Sequence, residues 1–175
     1  MSQSDVPVNL ARVEISLATR GVVRDVVLDP DYQVFHSNPA LRAEASALRY
    51  WVEGNLHRIN GRPHEGSTFL REGLRKLPPV DPYGVEFLLR FHLAAIEQEE
   101  NDLLTARRDL ELALRAPSRI PGFLPLAYLR LGQIAKRQGD ATTVTWAVRN
   151  VQSAERSLRW ELGISKEAQA LIGKP

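Results

Sequence analysis

Apolar residues recur along this chain at three- and four-residue spacing, in blocks that end on short polar turns or on proline. That period belongs to amphipathic helices. The first block opens at Pro39, with Asn38 as the expected N-cap and Pro39 at the first helical position. Leu41, Leu48, Tyr50, Trp51 and Val52 are its apolar positions, and Asn60-Gly61 stops it, since both residues tolerate positive φ. A second helix from about Pro63 carries Phe69, Leu70 and Leu74 and ends at Leu77-Pro78-Pro79. The next block opens at Asp81-Pro82 and runs through Phe87, Leu88, Phe91, Leu93 and Ile96. Glu99-Glu100-Asn101-Asp102 makes its turn, and Leu103, Leu104, Leu110 and Leu114 mark the returning helix up to Pro117. A third block follows Pro121-Gly122, with Leu126, Tyr128, Leu129, Leu131 and Ile134, and turns at Gly139-Asp140. Its second helix is expected from Ala141 to about Glu161, with Ser165 capping a short last helix to Leu171. Residues 6–36 are less regular: Leu10, Val13 and Leu17 have helical spacing, and the run from Val22 to Leu28 fits helix or strand.

The turn residues fall at Gly61, Asn101 and Gly139, a period of 40 and then 38 residues. Aligning them aligns small residues at three further places. These are Gly54, Ala94 and Gly132 in the first helices, then Gly66, Ala106 and Val144, and Gly73, Ala113 and Val151 in the second. Two helices of a hairpin approach closely only where side chains are short. A mid-helix glycine costs about 1 kcal/mol relative to alanine, so Gly54, Gly66 and Gly73 imply a packing benefit.

With these positions, residues 39–162 resemble the tetratricopeptide repeat family. The resemblance implies an all-α fold, an α-α superhelix of stacked antiparallel hairpins. Residues 1–38 would form a helical cap on a repeat domain spanning 39–175, and the short C-terminal helix would cap the other end. A generic helical bundle fits the apolar spacing alone; the repeated caps and turns favour stacked hairpins. At the C-terminus, Glu161-Leu162-Gly163-Ile164 with Glu167-Ala168-Gln169-Ala170-Leu171 is similar to the end of bacterial transcriptional activation domains, which are built from the same repeat.

The family resemblance also implies a groove lined by the first helices. The matching residues are Trp51, Asn55 and Arg58, then Phe91 and His92, then Arg130, Gln133, Lys136 and Arg137. Aromatic anchors beside guanidinium groups suit peptide recognition. Arg130 and Arg137, seven residues apart on one helix, project from nearly the same face. Asn55 and Arg130 match two of the five polar residues with which some members clamp a peptide's terminal carboxylate. Trp51, His92 and Leu126 replace the other three, which argues against that clamp. The competing reading makes Trp51 and Phe91 core residues covered by the N-terminal segment.

Composition narrows the chemistry. The chain has 175 residues, 43% hydrophobic and 25% charged, ordinary for one folded domain. It has no cysteine, which removes disulfides, thiolate metal sites and cysteine nucleophiles. Residues 1–100 carry 11 Lys+Arg against 14 Asp+Glu, and residues 101–175 carry 12 against 7, so the charge shifts from −3 to +5. A basic C-terminal half would steer an acidic partner. Met1 to Asp5 are polar, no signal-like apolar run follows, and no stretch approaches a membrane span. The expectation is a soluble, cytoplasmic protein.

No catalytic constellation is found, and no enzyme activity, cofactor or metal is expected. Gly61-Arg62-Pro63-His64-Glu65-Gly66-Ser67-Thr68 has the glycine spacing of a phosphate-binding loop. However, Ser67 stands in the lysine's place, and a helix precedes it instead of a strand. His36, His57, His64 and His92 show no ligand pairing at helical spacing. Glu97, Glu99 and Glu100 are expected to form a solvated acidic edge.

The leading expectation is therefore a scaffold or adaptor that binds a protein segment. Two alternatives are a self-associating module using Trp146 or Trp160, and a transcription-related regulatory domain. A nucleic-acid binder using Arg130, Lys136, Arg137, Arg149, Arg156 and Arg159 is disfavoured, since few aromatics accompany those arginines for base stacking.

Overall fold

Three times along the chain a helix ends in the same way. Gly61, Asn101 and Gly139 take left-handed backbone angles, with φ of 72°, 66° and 74°. In each turn that residue's N–H returns to the carbonyl three residues back: Gly61 to Arg58 at 3.0 Å, Asn101 to Gln98 at 3.2 Å, Gly139 to Lys136 at 3.1 Å. The following N–H reaches five back: Arg62 to His57 at 2.9 Å, Asp102 to Glu97 at 2.8 Å, Asp140 to Ala135 at 2.9 Å. This is the Schellman pair, which satisfies carbonyls left over at a helix end. The repeat read from the turn residues is thus a repeat of local structure.

The computed structural model describes residues 39–81, 83–158 and 163–173. Among them are α1 (Pro39–Ile59), α2 (Pro63–Lys76), α3 (Val85–Glu99), α4 (Leu103–Arg115), a 3₁₀ turn (Pro121–Phe123), α5 (Leu124–Arg137), α6 (Ala141–Leu158) and α7 (Ile164–Ile172), with no strand. No helix among the described residues is long and apolar enough to cross a membrane. The cap expected over 1–38 lies outside the described residues, as do Trp160 and the segment 159–162. The chain divides into two compact units, one ending at Val85 and the other starting at Glu86.

The first unit is built on the α1–α2 hairpin. Gly54 sets how closely its helices approach. A Cβ placed there would lie 2.7 Å from Leu70 Cγ and 3.0 Å from the Gly66 carbonyl oxygen. Leu70 is fully buried, and Gly66 and Gly73 share its face of α2. Beside them the His57 ring stacks on Phe69, with centroids 4.8 Å apart.

The second unit carries α3 to α7. Its first helix begins later than Asp81-Pro82 suggested. Gly84, at φ 75°, cannot continue a helix, so α3 starts at Val85, whose N–H donates to Asp81 Oδ1 at 3.0 Å. The residues from Phe91 to Glu97 are buried in succession, as a helix with little polar surface must be. Each large apolar side chain removed from water there contributes about 1.5–3 kcal/mol. Arg90 of α3 holds the buried carboxylate of Asp109 on α4 at 2.8 Å.

The helices α5, α6 and α7 pack together around Leu129, Val148, Val151 and Ala168, with Tyr128, Ile164 and Leu171 at the edge. All nine aligned small positions are buried, Val144 and Val151 of α6 included. At the start of α7 the expectation needs correcting. Ser165 lies inside the helix, and Gly163, at φ 74°, occupies the capping position. A glycine has no side chain with which to cap. The Glu155 carboxylate of α6 does it instead, accepting from the N–H groups of Ile164 at 2.8 Å and Ser165 at 3.0 Å, and from the Ser165 hydroxyl.

Candidate functional site

The residues expected to line a groove separate by burial. On α1, Trp51 is 1% exposed and Asn55 3%. Asn55 Nδ2 donates to the Trp51 carbonyl at 2.9 Å, so this amide serves its own helix. Arg58, nearer the end of α1, is half-buried. On α3, Phe91 and His92 are also buried. Phe91 meets Phe123 edge to face at 5.6 Å, and His92 lies against the same two rings. The aromatic positions are therefore core residues of their helices.

The polar positions of α5 behave differently. This helix buries Pro125, Ala127, Leu129, Leu131, Gly132, Ile134 and Ala135. What remains outward is Leu126, Arg130, Gln133, Lys136 and Arg137. Arg130 is half-buried. Its Nη1 donates to the Phe91 carbonyl at 3.0 Å, and its guanidinium carbon stands 4.3 Å from the Phe91 ring centroid. Gln133 Nε2 donates to Glu167 of α7 at 3.1 Å. Arg137 Nη2 donates to Asn101 Oδ1, tying the end of α5 to the preceding turn, yet the side chain stays exposed. Lys136 is exposed beside it. The two cations sit in the last turn of the helix, where its carbonyl ends also favour positive charge.

A second polar cluster lies at the start of α6, and periodicity gave no sign of it. Asp140 accepts from the Thr143 hydroxyl at 2.7 Å and its N–H at 3.0 Å, and faces Arg107 of α4 at 3.0 Å. These bonds, the Thr143 hydroxyl foremost, hold its carboxyl well below the ordinary 3.8, at about 2. Arg107 also donates to Gln138 at 3.1 Å and pairs with Glu111 at 3.0 Å. Every group in the cluster is engaged with another, so it works as a brace between α4 and the α5–α6 turn.

The remaining sequence candidates take ordinary places. Gly61 closes a turn, Gly66 sits at a helix crossing, and the hydroxyls of Ser67 and Thr68 donate to the His64 carbonyl. The three glutamates do not form one solvated edge, because Glu97 is 2% exposed while Glu99 and Glu100 face solvent. Among the described residues, no group of three or more His, Asp or Glu side chains could hold a metal ion. Trp146 of α6 is 47% exposed, its ring edge-to-face with Tyr128 at 5.5 Å. No family model, curated protein or solved structure matches the chain.

Proposed function

We propose that the protein is an interaction module of the tetratricopeptide type, and that the outward strip of α5 receives an acidic segment of a partner protein. The observation that carries this reading is the pair of exposed cations, Lys136 and Arg137, on the same helix as Arg130 and Gln133. Leu126, 39% exposed near the other end of the strip, adds an apolar contact. Exposed side chains can exchange water for a partner's carboxylates with little desolvation, and charge-assisted hydrogen bonds then orient the segment. Support for the repeat type comes from the three matching turns and the buried small residues at equivalent places. On this reading the aromatic positions, Trp51 and Phe91, hold the scaffold together, and recognition falls to α5.

The test is affinity capture from a cell extract with the parent protein, Lys136→Glu/Arg137→Glu and Arg156→Glu. A protein retained by the parent and by Arg156→Glu, but lost from the double variant, supports the strip. Equal retention by all three sinks it.

Self-association is the second reading, favoured by the exposed indole of Trp146 over Tyr128. Aromatic side chains at interface centres often dominate binding. Light scattering over a concentration series would reveal a dimer, and Trp146→Ser would dissolve it.

A further inference from the structure

Opposite its buried face, α4 shows solvent an ordered stripe. The helix buries Ala106, Asp109, Leu110 and Ala113. Leu104, Arg108, Leu112 and Arg115, spaced at four, four and three residues, fall on the other side. Leu104 is 79% exposed, the Arg108 and Arg115 side chains 68% and 76%, and Leu112 36%. A leucine so exposed in the first turn of a helix gains little from burial within its own chain. It also borders an open depression lined by Asn101, Asp102, Leu103, Leu104, Arg107 and Gln138.

The charges on this stripe lack dedicated counter-ions among the described residues. Arg108 lies 3.6 Å from Asp109, whose carboxylate is already held by Arg90 at 2.8 Å. Arg115 lies 3.9 Å from Glu111, already held by Arg107 at 3.0 Å. Both arginines are therefore at the fringe of pairs made by others. The acidic group at the depression, Asp102, is occupied in capping α4 through the Thr105 N–H.

We propose that this outer face of α4 is a docking surface for an acidic amphipathic helix of another protein, a surface additional to the α5 strip. The side of a helix offers no unpaired backbone groups, so an extended segment could not add to it as a strand does to a sheet edge. Contact must be side chain to side chain. Leu104 and Leu112, eight residues and about 12 Å apart along the axis, match the spacing of apolar residues on a partner helix. The partner's leading apolar side chain enters the depression beside Leu104, where Asp102 would repel a carboxylate. Its carboxylates then fall between and beyond the leucines, against Arg108 and Arg115. A second copy of this chain docking through α2 or α6 is a poor occupant, because their exposed charges are mainly cations, Arg71, Arg75 and Lys76 against Glu65 on α2 and Arg149 and Arg156 on α6, which would meet cations.

The experiment uses the full chain and a fluorescein-labelled synthetic helix of about five turns, with leucines on one face and glutamates flanking them. Its companions carry glutamine for glutamate, or the same residues scrambled off the helical period. Fluorescence anisotropy should show saturable binding of the first peptide only. Leu104→Glu and Arg108→Glu should each weaken it about tenfold or more. Leu104→Glu suits the acidic first turn of a helix, so circular dichroism should show both variants folded. Lys136→Glu, which leaves the Arg137–Asn101 bond at the depression in place, separates the two surfaces: unchanged binding supports α4, and its loss with the α4 variants unaffected overturns the proposal. Equal binding of the scrambled peptide, or no binding at all, also overturns it. So does light scattering in which the α4 variants dissolve a dimer. Binding to phosphatidylserine vesicles without binding to the peptide would assign the stripe to a lipid surface and overturn it as well.

Discussion

Arg130 closes on Phe91 in two ways, through a 3.0 Å hydrogen bond from Nη1 to the backbone carbonyl and a cation–π contact of 4.3 Å to the ring. The family resemblance implies one groove for both residues, where they would face a partner. The structure gives them to each other. Because α3 supplies the carbonyl and α5 the guanidinium, the pair fastens two helices of the second unit.

Replacing Arg130 should therefore cost stability, unlike an ordinary exposed charge. A hydrogen bond from a charged donor contributes about 1.5–3 kcal/mol, and a cation over an aromatic ring about 0.5–2 kcal/mol. Arg130→Ala should lower the unfolding free energy by about 2–3 kcal/mol, since such terms add incompletely. Arg130→Lys should recover only part of this, because an ammonium cannot lie flat on the ring while reaching the carbonyl. Urea denaturation measures both. A change below about 0.5 kcal/mol for Arg130→Ala would return Arg130 to the surface strip.

The contact between Gly54 and Leu70 yields a second prediction. On an exposed helix, Gly→Ala gains about 1 kcal/mol of propensity. At Gly54 the added carbon would stand 2.7 Å from Leu70 Cγ, with the Gly66 carbonyl at 3.0 Å blocking retreat. Overpacking of this kind typically costs about 1–3 kcal/mol, so Gly54→Ala should destabilise the protein. In a double-mutant cycle with Leu70→Ala, the pair should cost less than the two single changes combined. Additive costs would mean that Leu70 is not what Gly54 makes room for.

How far these features were legible follows from how local their causes are. Prolines at 39 and 63 and the turn residues at 61, 101 and 139 act on their own backbone, so helix ends could be read directly. The small residues were legible because aligned turns made them coincide. The Arg130–Phe91 pair was not, since 39 residues separate its members and neither type demands the other. The burial of Trp51 and Phe91 stood as the competing reading and could not be chosen: periodicity finds apolar positions without saying whether a groove or a core receives them. Of the expected set only Lys136 and Arg137 are fully exposed, and polar positions are the part that hydrophobic spacing specifies least.

Glu155 gives a third prediction, at the end of the chain where Ser165 looked like the cap. Its carboxylate accepts two backbone N–H groups that would otherwise lack partners at the start of α7. Glu155→Ala should free them and loosen α7, at a cost of about 1–3 kcal/mol. The loss should be regional. Amide hydrogen exchange should speed up in residues 164–172 and leave α1 and α2 unchanged. Uniform acceleration across the chain would show instead that Glu155 supports the whole core.

The fourth prediction concerns acid and can be signed from Asp140. Its carboxyl is depressed in the folded protein from 3.8 to about 2, with the Thr143 hydroxyl as the first cause, the Thr143 N–H as the second and Arg107 a smaller one. A carboxylate whose folded pKa lies below its unfolded value binds protons more readily when unfolded. Its contribution is then fully present above about pH 4 and is lost as pH falls from there through about 2. Thr143→Val removes the hydroxyl bond but keeps the N–H, so the carboxyl should rise towards 3.8 without reaching it. Arg107→Gln should move it less, since the guanidinium's hydrogen bond is the weaker of the two side-chain bonds to this carboxylate. Carbon-detected NMR titration of the Asp140 carboxyl would rank the two variants. The acid limb of a thermal-stability curve should flatten most in Thr143→Val. If Arg107→Gln produced the larger rise, Asp140 would be held by charge across the brace between α4 and the α5–α6 turn. The bonds from Thr143 would then be secondary, and its hydroxyl could not be the foremost cause of the low pKa.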